Sequence, residues 1–184
     1  EADRLRLNLA GETSKFFFRP ARDNEGKPIF VSGSGRLRQQ LALLGKQLAG
    51  YPAPKQAFLL QELKRLTNLA EQQPEVWGDR VRLLLFVNSY EQVQPVMQAI
   101  LSQQPEWNQL TYGLVRSAVP TQSNEWQWAR LDGQTFIKHD IEQFGQTQGN
   151  ILVAPLQAIG RGYNILNENN VAAFGTVLFL TRPM

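Results

Sequence analysis

The chain has 184 residues, of which 42% are apolar, and this composition is sufficient to bury the core of one domain. It contains no cysteine and one histidine, His139, so disulfides, cysteine-based metal sites and histidine-rich zinc sites are excluded and no metal ligands are predicted. No apolar run approaches the roughly 18 residues of a membrane span and no signal segment opens the chain, so we expect a cytoplasmic protein that has no membrane partner.

The net charge of +3 is unevenly distributed along the chain. Residues 1–56 carry ten Lys/Arg against five Asp/Glu, whereas residues 81–184 carry six against seven. A basic N-terminal third suggests an anionic partner such as nucleic acid. The alternative is an ordinary solvated surface, because charged tracts are usually solvated.

Residues 1–56 are predicted to form an extension or insertion with short strands and one helix. The alternating stretch "RLRLNLA" predicts an exposed strand, and "KFFFRP" predicts a second strand that ends at Pro20. Turns are predicted at "RDNEGKP" and "SGSG". A helix is then predicted over "RLRQQLALLGKQLAG", ending at Gly50.

Residues 57–184 show the periodicity of an α/β domain. Helices are predicted over "AFLLQELKRLTNLAEQQ", "YEQVQPVMQAILSQQ", with Pro95 in its first turn or at a kink, and "FIKHDIEQFGQ". Buried strands are predicted at "VRLLLFVN", "LTYGLVRS", "NILVAP" and roughly Thr176 to Thr181. Alternating strands and helices predict a mainly parallel sheet, in which ligands bind beyond the carboxyl ends of the strands.

Complete catalytic motifs are not found. The chain lacks the phosphate-binding pattern G-x-x-x-x-G-K-[ST], the nucleophile elbow G-x-S-x-G and the zinc-binding H-E-x-x-H. Asp132, Asp140 and Glu142 are interpreted as surface carboxylates, because such residues are mostly exposed. No catalytic residue is therefore predicted.

Three segments resemble the C-terminal RecA-like domain of superfamily 2 (DEAD/DEAH-type) helicases and translocases. "RLLLFVNSYEQV" is similar to motif IV of that family, and "NILVAPLQAIGRGYNIL" is similar to motif V. "LDGQTFIKHDIEQFGQTQGNILVAP" resembles the segment between them, with Phe144 and Gly145 at the positions of the family's Phe and nearby Gly. The resemblance covers about Ala57 to Met184.

The resemblance implies a three-layer RecA-like fold of the P-loop NTPase type, truncated before motif VI. Motif VI would follow Met184, and an upstream Walker-type RecA-like domain would belong to the same polypeptide, so we expect this chain to be a fragment of a larger protein. ATP and Mg²⁺ would be cofactors of that parent protein only. None is expected on this chain, which would be inactive alone because phosphoryl transfer needs groups from both domains.

Motif V implies an ATP-cleft contribution from Gly160, Arg161, Gly162 and Asn164. The glycines permit a close backbone approach, and Arg161 offers a planar fork to phosphate or carboxylate. Asn164 stands where Asp is commoner in the family. The alternative is that Arg161 pairs with a local carboxylate while the glycines only turn the chain.

Nucleic-acid contacts are implied for both motifs and the segment between them. In motif IV these are Asn88, Ser89 and Tyr90, with amides and hydroxyls that bind phosphates without reading sequence. The other candidates are Pro155, Gln157 and Lys138; the alternative for Lys138 is an ordinary solvated residue, because lone polar residues on helices are mostly solvated. Pro155 replaces the Thr or Ser of many members, which removes a hydroxyl.

Other readings of individual residues remain open. Asn88 and Ser89 could instead cap the following helix. Phe86 is predicted to lie in the core. Trp107, Trp126 and Trp128 are interpreted as cover for a core or a partner domain rather than as a platform for stacking bases.

Function is therefore expected to be that of the second motor domain of an ATP-dependent helicase or translocase acting on single-stranded or duplex nucleic acid. The alternative is a non-catalytic docking module with a helicase-like fold. A small mononucleotide-binding protein is a weaker third hypothesis, because no glycine-rich turn follows the first strand of the domain.

Overall fold

The computed structural model describes residues 6–9, 12–15, 22, 25–27, 37–53, 57–116, 134–159, 163–168 and 170–181. The chain divides into two compact units, Glu1–Phe30 and Val31–Met184. In the first unit, strands β1 (Arg6–Leu9) and β2 (Glu12–Lys15) pair in antiparallel fashion. Strand β2 shares only Lys15 with the strand predicted at Lys15–Pro20, and Phe16–Pro20 lie outside the described residues.

The second unit is built on a five-stranded sheet in which all described pairings are parallel, in the order β5-β4-β6-β3-β7. Helices follow several of these strands, so the predicted α/β class is confirmed. The strands are β3 (Arg82–Val87), β4 (Thr111–Val115), β5 (Gln134–Ile137), β6 (Ile151–Pro155) and β7 (Phe174–Phe179).

Three of the four predicted helices are α-helices in the structure, the fourth differs in type, and two short α-helices at Pro74–Trp77 and Leu156–Ile159 were not predicted. Along α2 the predicted stripe is buried most deeply at Leu59 and Leu66. Pro95 lies inside α4, beyond its first turn. The α-helices are α1 (Leu37–Leu48), α2 (Phe58–Gln72), α3 (Pro74–Trp77), α4 (Tyr90–Gln103) and α5 (Leu156–Ile159), and 3-10 helices span Pro105–Trp107 and Lys138–Gln146.

Both faces of the central strands are covered, which gives a layered arrangement of helices and sheet. On one face Leu84, Phe86 and Leu152 pack with Ile141 and Phe144 of the second 3-10 helix. Alternate residues of β3 and β6, which point to the other face, are also buried. Helix α4 packs against β3, β4 and β6. Its buried residues do not belong to the first cluster, which places it on the second face.

The helix predicted over Phe136–Gln146 is wrong for its first two residues and for its type. Phe136 and Ile137 belong to β5, which pairs in parallel with β4. The following residues form a 3-10 helix, in which the spacing of Ile141 and Phe144 equals one turn. All four apolar residues are still at least partly buried, as expected of the apolar side.

Helix α1 belongs to the unit that contains the sheet. It packs along α4, and a Cβ built on Gly45 would lie 3.0 Å from the Ala99 Cβ and 3.0 Å from the Val96 carbonyl oxygen. The Gln104 side-chain amide also donates a hydrogen bond of 2.7 Å to the Ala49 carbonyl. The domain boundary predicted at Ala57 therefore separates α1 from α4, although these two helices pack against each other.

Strand β7 forms one edge of the described sheet and starts before its predicted position at Thr176. Arg82 pairs with Phe174 and Leu83 with Thr176, so Gly175 is an extra residue at a register shift. Beyond this shift Val177 and Phe179 are 44% and 50% exposed, whereas Phe86 beside Phe179 is buried as predicted. Trp107 is also buried, while Trp126 and Trp128 lie outside the described residues.

Within the described ranges, no helix combines the length and the apolar character needed to cross a lipid bilayer.

Candidate functional site

The carboxyl ends of four neighbouring strands, β5, β4, β6 and β3, meet at a cleft of about 450 Å³. Each strand contributes residues at or just after its last position, which follows from the parallel arrangement of the sheet. The lining residues are Asn88, Ser89, Tyr90, Arg116, Lys138, Pro155, Gln157 and Ala158. Four separate segments of the chain thus build one site.

The β3 side of the cleft is the turn that leads into α4. Ser89 occupies the N-cap position in an extended conformation, but its hydroxyl makes no capping hydrogen bond. Instead, the Gln92 side-chain oxygen accepts a hydrogen bond of 2.9 Å from the backbone N–H of Asn88. The open reading of Ser89 as a capping side chain is therefore wrong, and its hydroxyl is not committed to the helix.

Two cations flank the cleft, and each lies over an aromatic ring. The guanidinium carbon of Arg116 is 4.9 Å from the centroid of the Tyr90 ring, and the Lys138 Nζ is 5.8 Å from that of Tyr163. Both rings also pack against the core cluster that contains Leu84 and Phe144. The described lining residues include two cations and no carboxylate, so these residues together contribute positive charge to the cleft.

The β6 side of the cleft is formed by the end of that strand and the first turn of α5. Pro155 is buried as the last residue of β6, where it pairs with Val87. It contributes an apolar ring without a hydroxyl or an N–H donor. Gln157 is exposed, so its side-chain amide supplies the hydrogen-bonding groups on this side.

All six residues predicted to face nucleic acid line this cleft: Asn88, Ser89, Tyr90, Pro155, Gln157 and Lys138. Of the four residues assigned to the ATP cleft, only Asn164 belongs to the described residues. Gly160, Arg161 and Gly162 lie outside the described residues. Asn164 is exposed, its backbone N–H donates to the Glu142 carboxylate over 3.3 Å, and it does not line the cleft.

Two lining residues, Arg116 and Ala158, were not predicted from the sequence. Arg116 follows β4 directly, so the rule that parallel strands direct their ends to one edge could have identified it. The resemblance gave no reason to select it, because it lies outside the quoted motifs. Ala158 is buried in α5 and has no polar group that would attract attention.

The described residues contain no group of three or more His, Asp or Glu side chains able to hold a metal ion. Comparisons with protein-family models, curated proteins and solved structures gave no match to this chain.

Proposed function

We propose that this chain is the C-terminal RecA-like domain of a superfamily 2 helicase or translocase, and that its cleft binds the backbone of nucleic acid. One observation carries the proposal: residues selected from motif IV, from motif V and from the segment between them line the same cleft. The parallel sheet and the helices on both of its faces are compatible with the three-layer fold that the proposal requires.

The chemistry of the cleft suits phosphate recognition without sequence readout. Arg116 and Lys138 provide positive charge, while Asn88, Ser89 and Gln157 provide amide and hydroxyl donors. Such groups bind phosphate and sugar oxygens and fix the register of a strand. Pro155 makes an apolar contact where related domains have a hydroxyl.

ATP and Mg²⁺, bound between two RecA-like domains, would supply the phosphoryl-transfer chemistry of a complete motor. Among the described residues only Asn164 belongs to the implied nucleotide site, and no carboxylate group there is arranged for a metal ion. The part proposed for this chain is therefore to bind and position the nucleic acid.

The test is fluorescence anisotropy with labelled single-stranded oligonucleotides of unrelated sequence. We expect weak binding at low salt that is indifferent to sequence and is lost as salt increases, because phosphate contacts release counterions. Absence of binding at low salt, or strong preference for one sequence, would contradict the proposal. A peptide-like polyanion such as poly-glutamate serves as the competitor that controls for non-specific charge attraction.

A second candidate function is a non-catalytic docking module. It is favoured by Val177 and Phe179, large apolar side chains that are about half exposed on the edge strand β7. Apolar residues exposed side by side can mark a protein contact. Arg161→Ala in the parent protein separates the two functions: the motor loses nucleic-acid-stimulated ATPase activity, whereas unchanged activity would favour the docking module.

A further inference from the structure

Arg116 and Lys138 leave the carboxyl ends of β4 and β5, which are paired neighbours in the sheet. Paired strands lie about 4.8 Å apart, so the two cations originate from adjacent positions at one edge. Arg116 is exposed and Lys138 is half-buried, and both line the cleft. We therefore expect an anion in the cleft to lie close to both side chains.

Each of these two cations lies over an aromatic ring. Within the described part of the chain, these cations contact the rings of Tyr90 and Tyr163 and form no ion pair with a carboxylate. A carboxylate partner would cancel the charge, whereas an aromatic face orients the cation and leaves its N–H donors available. Both rings are held by the core, so they provide fixed supports.

We propose that Arg116 and Lys138 form a two-cation site for a phosphate group, and that Tyr90 and Tyr163 are positioning residues that hold the two cations at the cleft. Arg116 is assigned here as a ligand-contacting residue in addition to those implied by the helicase resemblance. The choice of nucleic acid as the source of the phosphate rests on the proposed function. The phosphate site itself does not, because a free nucleotide offers the same chemistry.

The two cations would contact a phosphate group in different ways. Arg116 can present two N–H groups to two phosphate oxygens, and Lys138 acts as a point charge. Ser89 adds a hydroxyl group, which lies at the start of α4 and makes no capping hydrogen bond to the helix. Sequence preference is not expected, since none of these contacts involves the edge of a base.

The decisive experiment compares the salt dependence of single-strand binding for Arg116→Gln, Lys138→Gln and their combination. Each phosphate contact contributes about 0.7 to the slope of log K against log salt for single strands. We expect each single variant to lose about 0.7 of slope and the double variant about 1.4. Lys64→Gln, which removes one charge from an exposed position on α2 outside the cleft lining, should leave the slope unchanged.

The positioning role is tested at Tyr90. Tyr90→Phe removes the hydroxyl but keeps the ring, so it should retain more binding than Tyr90→Leu, which should weaken binding several-fold although the cation is still present. Equal weakening by Phe and Leu would show that the ring is not the support and would overturn this part of the proposal.

The outcomes also separate the phosphate site from the helicase assignment. If oligonucleotides bind and neither Arg116→Gln nor Lys138→Gln changes the slope from that of the wild type, the two-cation site is wrong and the proposed function stands. If the wild type binds ATP but no oligonucleotide, and Arg116→Gln abolishes ATP binding, the phosphate site stands without the helicase function. Binding of neither probe overturns both.

Discussion

At the scale of single residues, we expect the buried hydroxyl group of Thr111 to lower the stability of the fold. This residue begins β4 and is completely buried, and among the described residues its hydroxyl has no hydrogen-bond partner. A buried hydroxyl without a partner costs about 1–3 kcal/mol of stability. We expect Thr111→Val, which has nearly the same shape, to raise the free energy of unfolding by about 1 kcal/mol, measured by urea denaturation.

Thr67→Val is the matched control for that experiment. The Thr67 hydroxyl donates a hydrogen bond of 3.0 Å to the Leu63 carbonyl on the exposed side of α2. Its replacement should change stability by no more than about 0.5 kcal/mol, as is usual at exposed positions. A loss of stability in Thr111→Val would mean that the hydroxyl is satisfied, for example by a bound water.

At the scale of secondary-structure elements, a polar cluster joins α2 to β7. The Glu62 carboxylate accepts hydrogen bonds from Arg65, at 2.6 and 2.9 Å, and from the Thr176 hydroxyl, at 2.5 Å. The hydrogen bond to Glu62 is the main cause that raises the pKa of Arg65. Because this folded-state pKa is raised, the stabilisation is present below the pKa of unfolded Arg and is lost only in strong alkali.

We therefore predict that Glu62→Gln lowers the free energy of unfolding by up to about 1 kcal/mol, since Arg65 is about half exposed and solvent screens the pair. Arg65 should add no pH dependence near neutrality. The measurement is thermal unfolding of the wild type and the variant over a neutral pH range. A difference in stability that changed sharply within that range would mean that a group other than Arg65 titrates there.

Elements with strong periodicity could be predicted from the sequence, and those set by tertiary pairing could not. The stripe of α2 and the apolar runs of β3 and β6 specify their structure locally, because burial determines their residue types. β5 has only four residues and is fixed by its pairing with β4. The spacing of Ile141 and Phe144 fits an α-helix and a 3-10 helix equally, so the sequence alone cannot separate the two.

The same distinction applies to the cleft. Its predicted residues came from stretches that resemble family motifs, and the structure brings those six together. Arg116 depends on where β4 lies in the sheet, and the order β5-β4-β6-β3-β7 cannot be read from the order of strands in the chain. The position of a strand is decided by long-range packing rather than by its own residues.

At the scale of the whole molecule, α1 decides where an independent folding unit can begin. Leu41 and Leu44 of α1 are buried, and full burial of each such side chain contributes about 1.5–3 kcal/mol. We predict that a chain beginning at Ala57 is less stable than one beginning at Val31 by at least about 3 kcal/mol. Urea unfolding midpoints of the two chains provide the comparison.

Leu41→Ala in the full chain supplies an independent control for that comparison. It should cost about 2–5 kcal/mol if α1 is a structural part of the unit. Gln39→Ala, at an exposed position of the same helix, should have little effect. Equal stability of the two shortened chains would show that α4 does not need α1.

Because the cleft is assembled from the ends of four strands, the binding of a ligand in the cleft is linked to folding. The lining residues are spread along the sequence from Asn88 to Ala158. In the unfolded chain they therefore do not form a binding site for an anion. A ligand of this cleft therefore binds the native state alone and stabilises it by an amount set by its concentration. At a hundred times its dissociation constant this gain is about 2.7 kcal/mol. An increase in unfolding temperature or in resistance to proteolysis would therefore identify a ligand of the cleft, even when its reaction is unknown.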